Sequence, residues 1–192
     1  MPRHADAKLE GRILDAAYRL WSKGGESALT MRAVARGAKT TTPTVYQRFR
    51  DRHDILESLG SRARQNLFGA ISPSKGLPEL CERYFDFAVA HPNEYSLIHR
   101  DSAVRFAKGE SQPGFEFLKK ELAARLGGSL DQHIRLAIAL AALLHGASIL
   151  LMTKKIEARV AREIRLAATA AFEALVEDAK EHRFRERETA AN

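Results

Sequence analysis

The chain has 192 residues, of which 45% are hydrophobic, and this composition predicts a folded protein with one sizeable core or two small domains. Its single cysteine, Cys81, excludes a disulfide framework and a zinc site built on paired cysteines, and the amino terminus lacks the apolar run of a signal peptide, so a cytoplasmic protein is expected. Residues 1–66 carry 13 Lys and Arg against 7 Asp and Glu, which accounts for nearly all of the net charge of +7 and favours a polyanionic partner, without separating DNA from RNA or an acidic membrane.

The first predicted helix is a run in which apolar residues recur at three- and four-residue spacing. The run consists of Leu9, Ile13, Ala16, Ala17, Leu20 and Trp21. Such spacing places one apolar stripe on an α-helix. Gly24 and Gly25 follow and predict the end of the helix, because glycine favours the conformations that terminate helices.

Residues 30–56 contain two short predicted helices and a tight turn in one basic segment. Thr30 is the predicted N-cap of the first helix. The apolar positions of this helix fall at helical spacing: Met31, Val34, Ala35 and Ala38. Gly37, Ala38 and Lys39 then turn the chain.

The second helix of this segment is predicted at residues 42–49. Thr41 is its expected cap, and Pro43 is tolerated in its first turn, where backbone amides lack helical partners. Val45 and Phe49 form its buried edge. The residues that face outward are Thr42, Pro43, Thr44, Tyr46 and Gln47.

The outward-facing residues have the chemistry of a nucleic-acid surface. Hydroxyl groups and the amides at a helix start bind phosphates, and the side-chain amide of Gln47 can address a base edge. Asp51 caps a further helix and sets Arg52 in its first turn. A phosphate there would meet both the guanidinium and the positive end of the helix dipole.

A simpler interpretation of the same residues is also open. In it, Tyr46 and Phe49 both belong to the core, and the neighbouring arginines form only a solvated charged face. Those arginines are Arg48, Arg50 and Arg52. Phe49 is expected to be a core residue in either interpretation, and Arg48 fits either purpose.

This segment resembles the amino-terminal domain of the tetracycline-repressor (TetR) family of bacterial transcription regulators. The positions that match the family pattern are Ala35, Ala38, Thr44, Val45, Tyr46, Phe49 and Arg52. The resemblance covers residues 9–67 and favours phosphate contacts by Thr44, Tyr46 and Arg52, while base contacts by Thr42 and Gln47 stay open. The full set of candidate DNA contacts is Thr30, Thr41, Thr42, Pro43, Thr44, Tyr46, Gln47, Arg48 and Arg52.

One turn position departs from the family pattern. The family usually has glycine where this chain has Lys39, and valine is common where it has Thr40. The backbone at Lys39 therefore either takes a costly left-handed angle or turns differently.

The rest of the sequence predicts more helices and no convincing alternating strand. Residues 51–71 form a longer helix that connects the head with the body, so that a shift in the body would reach the head through it. An amphipathic helix ending at His91 and Pro92 and a shorter one containing Tyr95 follow. Residues 102–114 are expected to form a mobile loop, followed by a helix that ends at Gly127.

A strongly apolar helix is predicted after a capping box formed by Ser129 and Gln132. Residues 136–152 carry no formal charge. A membrane-spanning helix needs about 20 mainly apolar residues, whereas this run is shorter and contains His145, so we expect a buried central helix and no membrane partner. Small residues that would let another helix approach closely are Ala139, Ala142, Gly146 and Ala147.

The last predicted helix has an apolar seam that matches the preceding one. Its residues are Val160, Ile164, Ala168, Phe172, Leu175 and Ala179. Residues 183–192 are expected to be a solvated tail. The family resemblance implies that the last two helices form a four-helix dimer interface with a second copy, whereas periodicity alone indicates only that both have faces needing burial.

Histidines do not indicate a metal site. None of the seven histidines has a partner at the i, i+4 spacing of helix-borne ligands, so we expect neither a metal nor another cofactor. His145 interrupts an apolar helix, where a neutral imidazole needs a hydrogen-bond partner, and a satisfied core or interface residue is favoured over a ligand contact. The runs 91–95 and 144–146 resemble a subgroup of TetR carboxy-terminal domains.

A ligand cavity would lie between the helices of the body. The candidate effector contacts are Tyr84, Phe85, Phe87, Tyr95, Ile98, Phe117 and His145. Most of them are expected to be core, because the same residue types line packed interiors and hydrophobic pockets. The sequence has no glycine-rich phosphate loop, nucleophile elbow or zinc-hydrolase signature, and Glu82 with Asp86 is expected to be a solvated helix edge, so no enzyme is predicted.

Together these patterns predict an all-α protein. Residues 1–54 form a three-helix helix-turn-helix DNA-binding domain, and residues 55–182 form a larger helical body for effector binding and dimerisation. The resemblance implies a homodimeric transcription regulator, a repressor released from a palindromic operator by a small apolar effector. Two alternatives are a regulator without an effector and a helical protein-interaction adaptor whose basic head docks an acidic partner.

Overall fold

The computed structural model describes the backbone of residues 3–110 and 112–191 and the side chains of residues 8–102, 104–110 and 112–182. This described part is built of helices and turns without a β-strand, which confirms the predicted fold class. It divides into two compact units. The first contains the chain up to Ala63 together with Ser96–Arg100, and the second contains Arg64–Tyr95 and the chain from Asp101 onward.

Besides the later segment Ser96–Arg100, the first unit contains three helices and the start of a fourth. They are α1 (Arg3–Ala28), α2 (Met31–Gly37), α3 (Thr42–Tyr46) and α4 (Arg52–Ile71), of which α4 continues into the second unit. Their buried side chains are those that the helical spacing predicts, including Ile13, Ala16, Ala17, Val34, Ala35, Val45, Phe49, Ile55 and Leu59. Burial of this one apolar stripe per helix gives the unit its core.

Gly25 separates two helical segments within α1. It has φ 61° and ψ −151°, a left-handed conformation that glycine adopts without steric cost. The long first segment ends at this kink, as predicted from Gly24 and Gly25, and a short helical segment follows, to Ala28.

The turn between α2 and α3 keeps the left-handed angle even though the residue is lysine. Lys39 has φ 54°, which is the costlier of the two alternatives for this position. Its N–H donates to the Arg36 carbonyl at 3.2 Å, and the Thr40 N–H donates to the Ala35 carbonyl at 3.0 Å. These bonds satisfy carbonyls at the end of α2.

The second unit contains the remaining helices. After the later part of α4 come α5 (Leu77–Ala90), α6 (Pro92–His99), α7 (Ser102–Ala107), α8 (Pro113–Leu126), a 3-10 turn (Leu130–His133), α9 (Ile134–Leu151) and α10 (Ala158–Ala191). The last four residues of α6 belong to the first unit. The core of the second unit contains large, fully buried side chains from α5, α6, α8, α9 and α10: Phe85, Tyr95, Leu122, Leu140 and Phe172.

Two segments of the second unit differ from the prediction. Residues 102–107, expected to be part of a mobile loop, form α7, and Phe106 of this helix packs edge-to-face on Phe115 with ring centroids 6.0 Å apart. An aromatic pair of this kind stabilises a short helix that local propensity does not predict. Residues 183–191, expected to be a solvated tail, continue α10 as a helix.

Helix α9 is buried along one face only. Ala137, Leu140 and Leu144 are buried, whereas Ile138 and Leu150 are exposed. Among the described residues, Leu130–Leu151 is the one stretch long and apolar enough to cross a membrane by length and composition, and 33% of its apolar window is buried. The expectation of a buried central helix therefore holds for one face of α9, whereas the other face of this helix is exposed on the single chain.

Replacing Lys39 with glycine should stabilise the fold by about 0.5 to 1 kcal/mol. The change removes left-handed strain, and the greater freedom of the unfolded chain offsets part of that gain. Urea unfolding measures the difference. The matched control is Lys120→Gly in the interior of α8, which should destabilise by about 1 kcal/mol. A loss of stability in both variants would contradict the strained turn.

Candidate functional site

Two threonine side chains fix the starts of α2 and α3. The Thr30 hydroxyl accepts a hydrogen bond from the Ala33 N–H at 3.2 Å, and the Thr41 hydroxyl accepts one from the Thr44 N–H at 3.3 Å. The hydroxyls of Thr41 and Thr44 also lie 2.7 Å apart. Both predicted caps are confirmed, and such caps satisfy amides that the first turn of a helix leaves without partners.

Helix α3 is shorter than the sequence predicts. It ends at Tyr46, and the N–H of Gln47 closes it by donating to the Pro43 carbonyl at 3.0 Å. The N–H of Phe49 still donates to the Val45 carbonyl at 2.9 Å, as the chain turns and buries the Phe49 ring. Phe49 is thus one helical turn beyond Val45 and buried with it, as predicted, although the regular helix ends before residue 49.

The predicted DNA contacts all lie in the first unit, at the starts of α2 and α4 and around α3. We call this set the head surface: Thr30, Thr41, Thr42, Pro43, Thr44, Tyr46, Gln47, Arg48 and Arg52. Thr42 and Thr44 are partly buried and the others are exposed. The Tyr46 side chain is 54% exposed, which is incompatible with the interpretation that it belongs to the core, whereas Phe49 is a core residue as predicted.

The start of α4 is held by two reciprocal aspartate contacts. Asp51 accepts a hydrogen bond from the Asp54 N–H at 2.9 Å, which confirms the predicted cap, and Asp54 accepts one from the Arg50 N–H at 3.0 Å. The backbone hydrogen bond from Asp54 lowers the pKa of Asp51. Asp51 therefore stays ionised, and Arg52 occupies the first position of the helix.

The Arg52 guanidinium has an acidic partner that the sequence analysis missed. Its Nη2 lies 3.0 Å from Oε1 of Glu26, and its Nη1 donates to the Glu26 carbonyl at 3.3 Å. The two residues are far apart in sequence, and no local spacing signals their pairing. The kink at Gly25 was the one feature that could have directed attention to Glu26.

A chain of hydrogen-bonding groups lies inside the second unit. The hydroxyls of Tyr84 and Tyr95 are 3.3 Å apart, and the Tyr95 hydroxyl lies 2.8 Å from Nδ1 of His145. The Tyr95 ring stacks on the imidazole with a centroid distance of 5.6 Å and an interplanar angle of 16°. We call these three residues the interior polar cluster. His145 has the hydrogen-bond partner that its place in an apolar helix requires.

Burial keeps the interior polar cluster in its uncharged form. It raises the pKa of Tyr84 and that of Tyr95, and it lowers the pKa of His145. The hydroxyl of Ser148 is close to Tyr95, but it makes no hydrogen bond of regular geometry within the described residues. The cluster therefore offers neutral donors and acceptors in an apolar interior.

The remaining effector candidates make contacts other than these hydrogen bonds. Phe85 lies under the Arg165 guanidinium at 5.7 Å, and Phe117 packs edge-on against Phe68 at 6.0 Å. Phe87 contacts the ring of His91 at 5.1 Å. Ile98 belongs to the first unit. Tyr84, Tyr95 and His145 are thus the candidates that form one hydrogen-bonded group.

The acidic residues on α5 are partners of a long-range ion pair. Arg165 of α10 donates to Glu82 at 2.5 Å and to Asp86 at 2.9 Å. The sequence analysis placed both carboxylates on a solvated helix edge and missed Arg165. This contact joins α5 to α10 and gives both carboxylates a structural role. Within the side chains that the structure describes, no group of three His, Cys, Asp or Glu is arranged to hold a metal ion.

Comparison with solved structures identifies the same fold elsewhere. A TetR-family transcriptional regulator from Streptomyces coelicolor is 21% identical, with 89% of this chain and 99% of that chain covered and a TM-score of 0.64. A TetR-like transcriptional regulator from Rhodococcus sp. RHA1 is 21% identical, with 92% and 96% covered and a TM-score of 0.59. A TetR-family transcriptional regulator from Haemophilus influenzae RD is 17% identical, with 88% and 98% covered and a TM-score of 0.56. No curated protein matches the chain.

Two family models match the sequence, one in each part of the chain. The model for bacterial regulatory proteins of the tetR family matches residues 13–59. The model for the tetracyclin repressor-like C-terminal domain matches residues 77–179, more than half of the chain, and includes the runs 91–95 and 144–146. The chain belongs to the TetR family and is a transcriptional regulator with an amino-terminal DNA-binding domain.

Proposed function

We propose that the protein represses transcription by binding a near-palindromic operator as a homodimer through its two head surfaces. The observation that carries the DNA contact is the arrangement of α3, which buries Val45 and exposes Pro43, Tyr46 and Gln47 on the other side. A helix with a buried edge and an exposed polar face can enter the major groove as a unit.

The head surface divides into two kinds of contact. Thr44, Tyr46 and Arg52 hold the DNA backbone, because hydroxyls, guanidinium groups and helix starts bind phosphates whatever the sequence. Gln47 and Thr42 face the bases, whose edges in the major groove carry sequence-specific donors and acceptors. Affinity and sequence preference therefore depend on different residues.

Replacing Arg52 with glutamine should weaken binding to all duplexes alike and reduce the log-log salt slope by up to about 0.9, the full contribution of one phosphate contact. Replacing Gln47 with alanine should instead change which operator is preferred, by about 1 to 3 kcal/mol for each good base contact. Binding curves over a salt series and over an operator library measure both effects. Lys120→Gln, an exposed charge of the second unit, is the control. Identical behaviour of the Arg52 and Gln47 variants would refute this division.

The homodimer is supported by apolar side chains that the single chain leaves exposed on its last two helices. They are Ile134, Ile138, Ile149 and Leu150 on α9 and Val160, Leu166 and Leu175 on α10. Large apolar side chains exposed on two neighbouring helices favour association with another protein surface. A second copy presents the same two helices and would complete a four-helix contact. Its operator half-sites would then lie about 34 to 36 Å apart, one turn of the duplex.

Introducing a charge into this surface should convert the dimer into monomers. In Leu166→Glu, burial of an unpaired carboxylate opposes association. Val104→Glu on α7 is the matched control, because Val104 is 55% exposed and Leu166 is 54% exposed. Sedimentation equilibrium should give a monomer for the first variant and the wild-type mass for the second. A monomeric wild-type protein, or dissociation of both variants, would contradict the proposed interface.

We also propose that the interior polar cluster contacts a small, largely apolar effector whose binding releases the operator. The Tyr84, Tyr95 and His145 groups are neutral and lie among buried apolar side chains, a combination typical of small-molecule sites. An effector releases DNA only if it binds the DNA-free state more tightly than the DNA-bound state.

A thermal-shift screen against small apolar compounds that carry one hydrogen-bonding group tests the effector site. A compound that stabilises the wild-type protein should bind Tyr95→Phe about three- to tenfold more weakly, because one buried hydrogen bond contributes roughly 0.5 to 1.5 kcal/mol. Tyr18→Phe removes a tyrosine hydroxyl from the first unit and is the control. Equal binding to all three proteins would place the effector away from the cluster.

The alternative is an interaction adaptor whose basic head docks an acidic protein. It rests on the same basic charge and predicts no sequence preference among duplexes. Sequence-selective retention of one duplex by the purified protein decides against the adaptor.

A further inference from the structure

We infer that Glu26 is an internal counter-anion that competes with DNA phosphate for Arg52 and so sets the affinity and salt dependence of duplex binding. This inference rests on the proposed role of Arg52 as a phosphate contact. Glu26 lies outside the head surface, and its pairing with Arg52 determines how readily Arg52 can bind a DNA phosphate.

The Glu26–Arg52 pair occupies the nitrogens that would bind a phosphate. Two nitrogens of the guanidinium are engaged, one by the Glu26 carboxylate at 3.0 Å and one by the Glu26 backbone carbonyl at 3.3 Å. Arginine uses the same two nitrogens when it binds a phosphate with both, so a phosphate has to displace Glu26. Because the Glu26 and Arg52 side chains are 47% and 48% exposed, an incoming polyanion can reach both.

The Glu26 carboxylate has a second cation to hold it. Nη1 of Arg100 lies 3.7 Å from Oε2 of Glu26, whereas Arg52 takes Oε1. The Arg100 side chain is only 21% exposed, and Arg100 belongs to the same compact unit as the other two residues. When Arg52 turns to a phosphate, Glu26 therefore keeps a partner on the protein. The exchange costs less than leaving the carboxylate unpaired.

The position of Glu26 follows from the kink in α1. Gly25 adopts φ 61°, and the last turn of α1 continues in a new direction that brings Glu26 to the start of α4. A side chain at residue 25 would be strained at this angle. The sequence Gly25-Glu26 thus combines the bend and the acid in adjacent residues.

The exchange of Glu26 for a DNA phosphate at Arg52 should be visible in the salt dependence of DNA binding. In the free protein, Glu26 already neutralises Arg52, so that fewer mobile ions are displaced when Arg52 contacts DNA. Without the Glu26 charge, the full contact of Arg52 with a phosphate contributes to counterion release, and the log-log salt slope should steepen by up to about 0.9. Because exposed ion pairs are weak, the gain in affinity should be about two- to fivefold.

A double-mutant cycle on the full-length protein tests this role. The proteins are the wild type, Glu26→Gln, Arg52→Gln and the double variant, and the probe is a mixed-sequence duplex titrated over a salt series. Glu26→Gln should bind about two- to fivefold more tightly than the wild type, and the same change should have no effect when Arg52 is already glutamine. Glu10→Gln, which removes an exposed carboxylate from the same helix, should change binding less than Glu26→Gln does. Thermal unfolding verifies that each variant is folded.

The outcomes separate this inference from the proposed function. Equal gains from Glu26→Gln with and without Arg52 would show that Glu26 acts as a general negative charge, and weaker binding by Glu26→Gln would show that it positions Arg52 for DNA. Either result overturns the competition while leaving DNA binding intact. If the wild type does not bind the duplex at any salt concentration, the proposed function fails with it.

Discussion

Burial of Val45 in the middle of α3 is the contact on which the head surface depends. A helix of five residues has too few internal hydrogen bonds to persist alone, so its conformation comes from that burial and from the Thr41 cap at its start. Because the helix is so short, anchoring one side chain fixes the direction of all the others. The exposed positions of Pro43, Tyr46 and Gln47 are a direct consequence.

Charge then determines how such a surface meets a polyanion. The basic excess of residues 1–66 favours attraction to DNA at long range, but Arg52, the proposed phosphate contact, is already paired with Glu26. Pairing with a nearby carboxylate reduces what a cation can contribute to DNA binding, although the net charge still counts that cation in full. In the proposed competition, the affinity of the head is a balance between long-range attraction and short-range pairing, and the bend at Gly25 places Glu26 beside Arg52.

Features encoded by neighbouring residues were predictable, and features that depend on distant residues were not. The caps at Thr30, Thr41 and Asp51 and the buried stripe of each helix follow from spacings of a few residues. The pairings of Glu26 with Arg52 and of Arg165 with α5 join residues far apart in sequence, and no local pattern encodes them. Lys39 lies between these cases. Its position in the turn was predictable from the sequence, whereas its φ angle depends on the hydrogen bonds that the turn makes to the end of α2. Helix α7 needed the tertiary contact between Phe106 and Phe115.

The proposed function requires that the short helix α3, with the residues that flank it, contacts the duplex. Backbone amide hydrogen exchange, recorded with and without an operator selected from random duplex DNA, tests this contact. We expect slower exchange on DNA binding in α3 and at the starts of α2 and α4, with Val45 already protected in the free protein. Protection by DNA on the exposed faces of the second unit, with exchange in α3 unchanged, would contradict it.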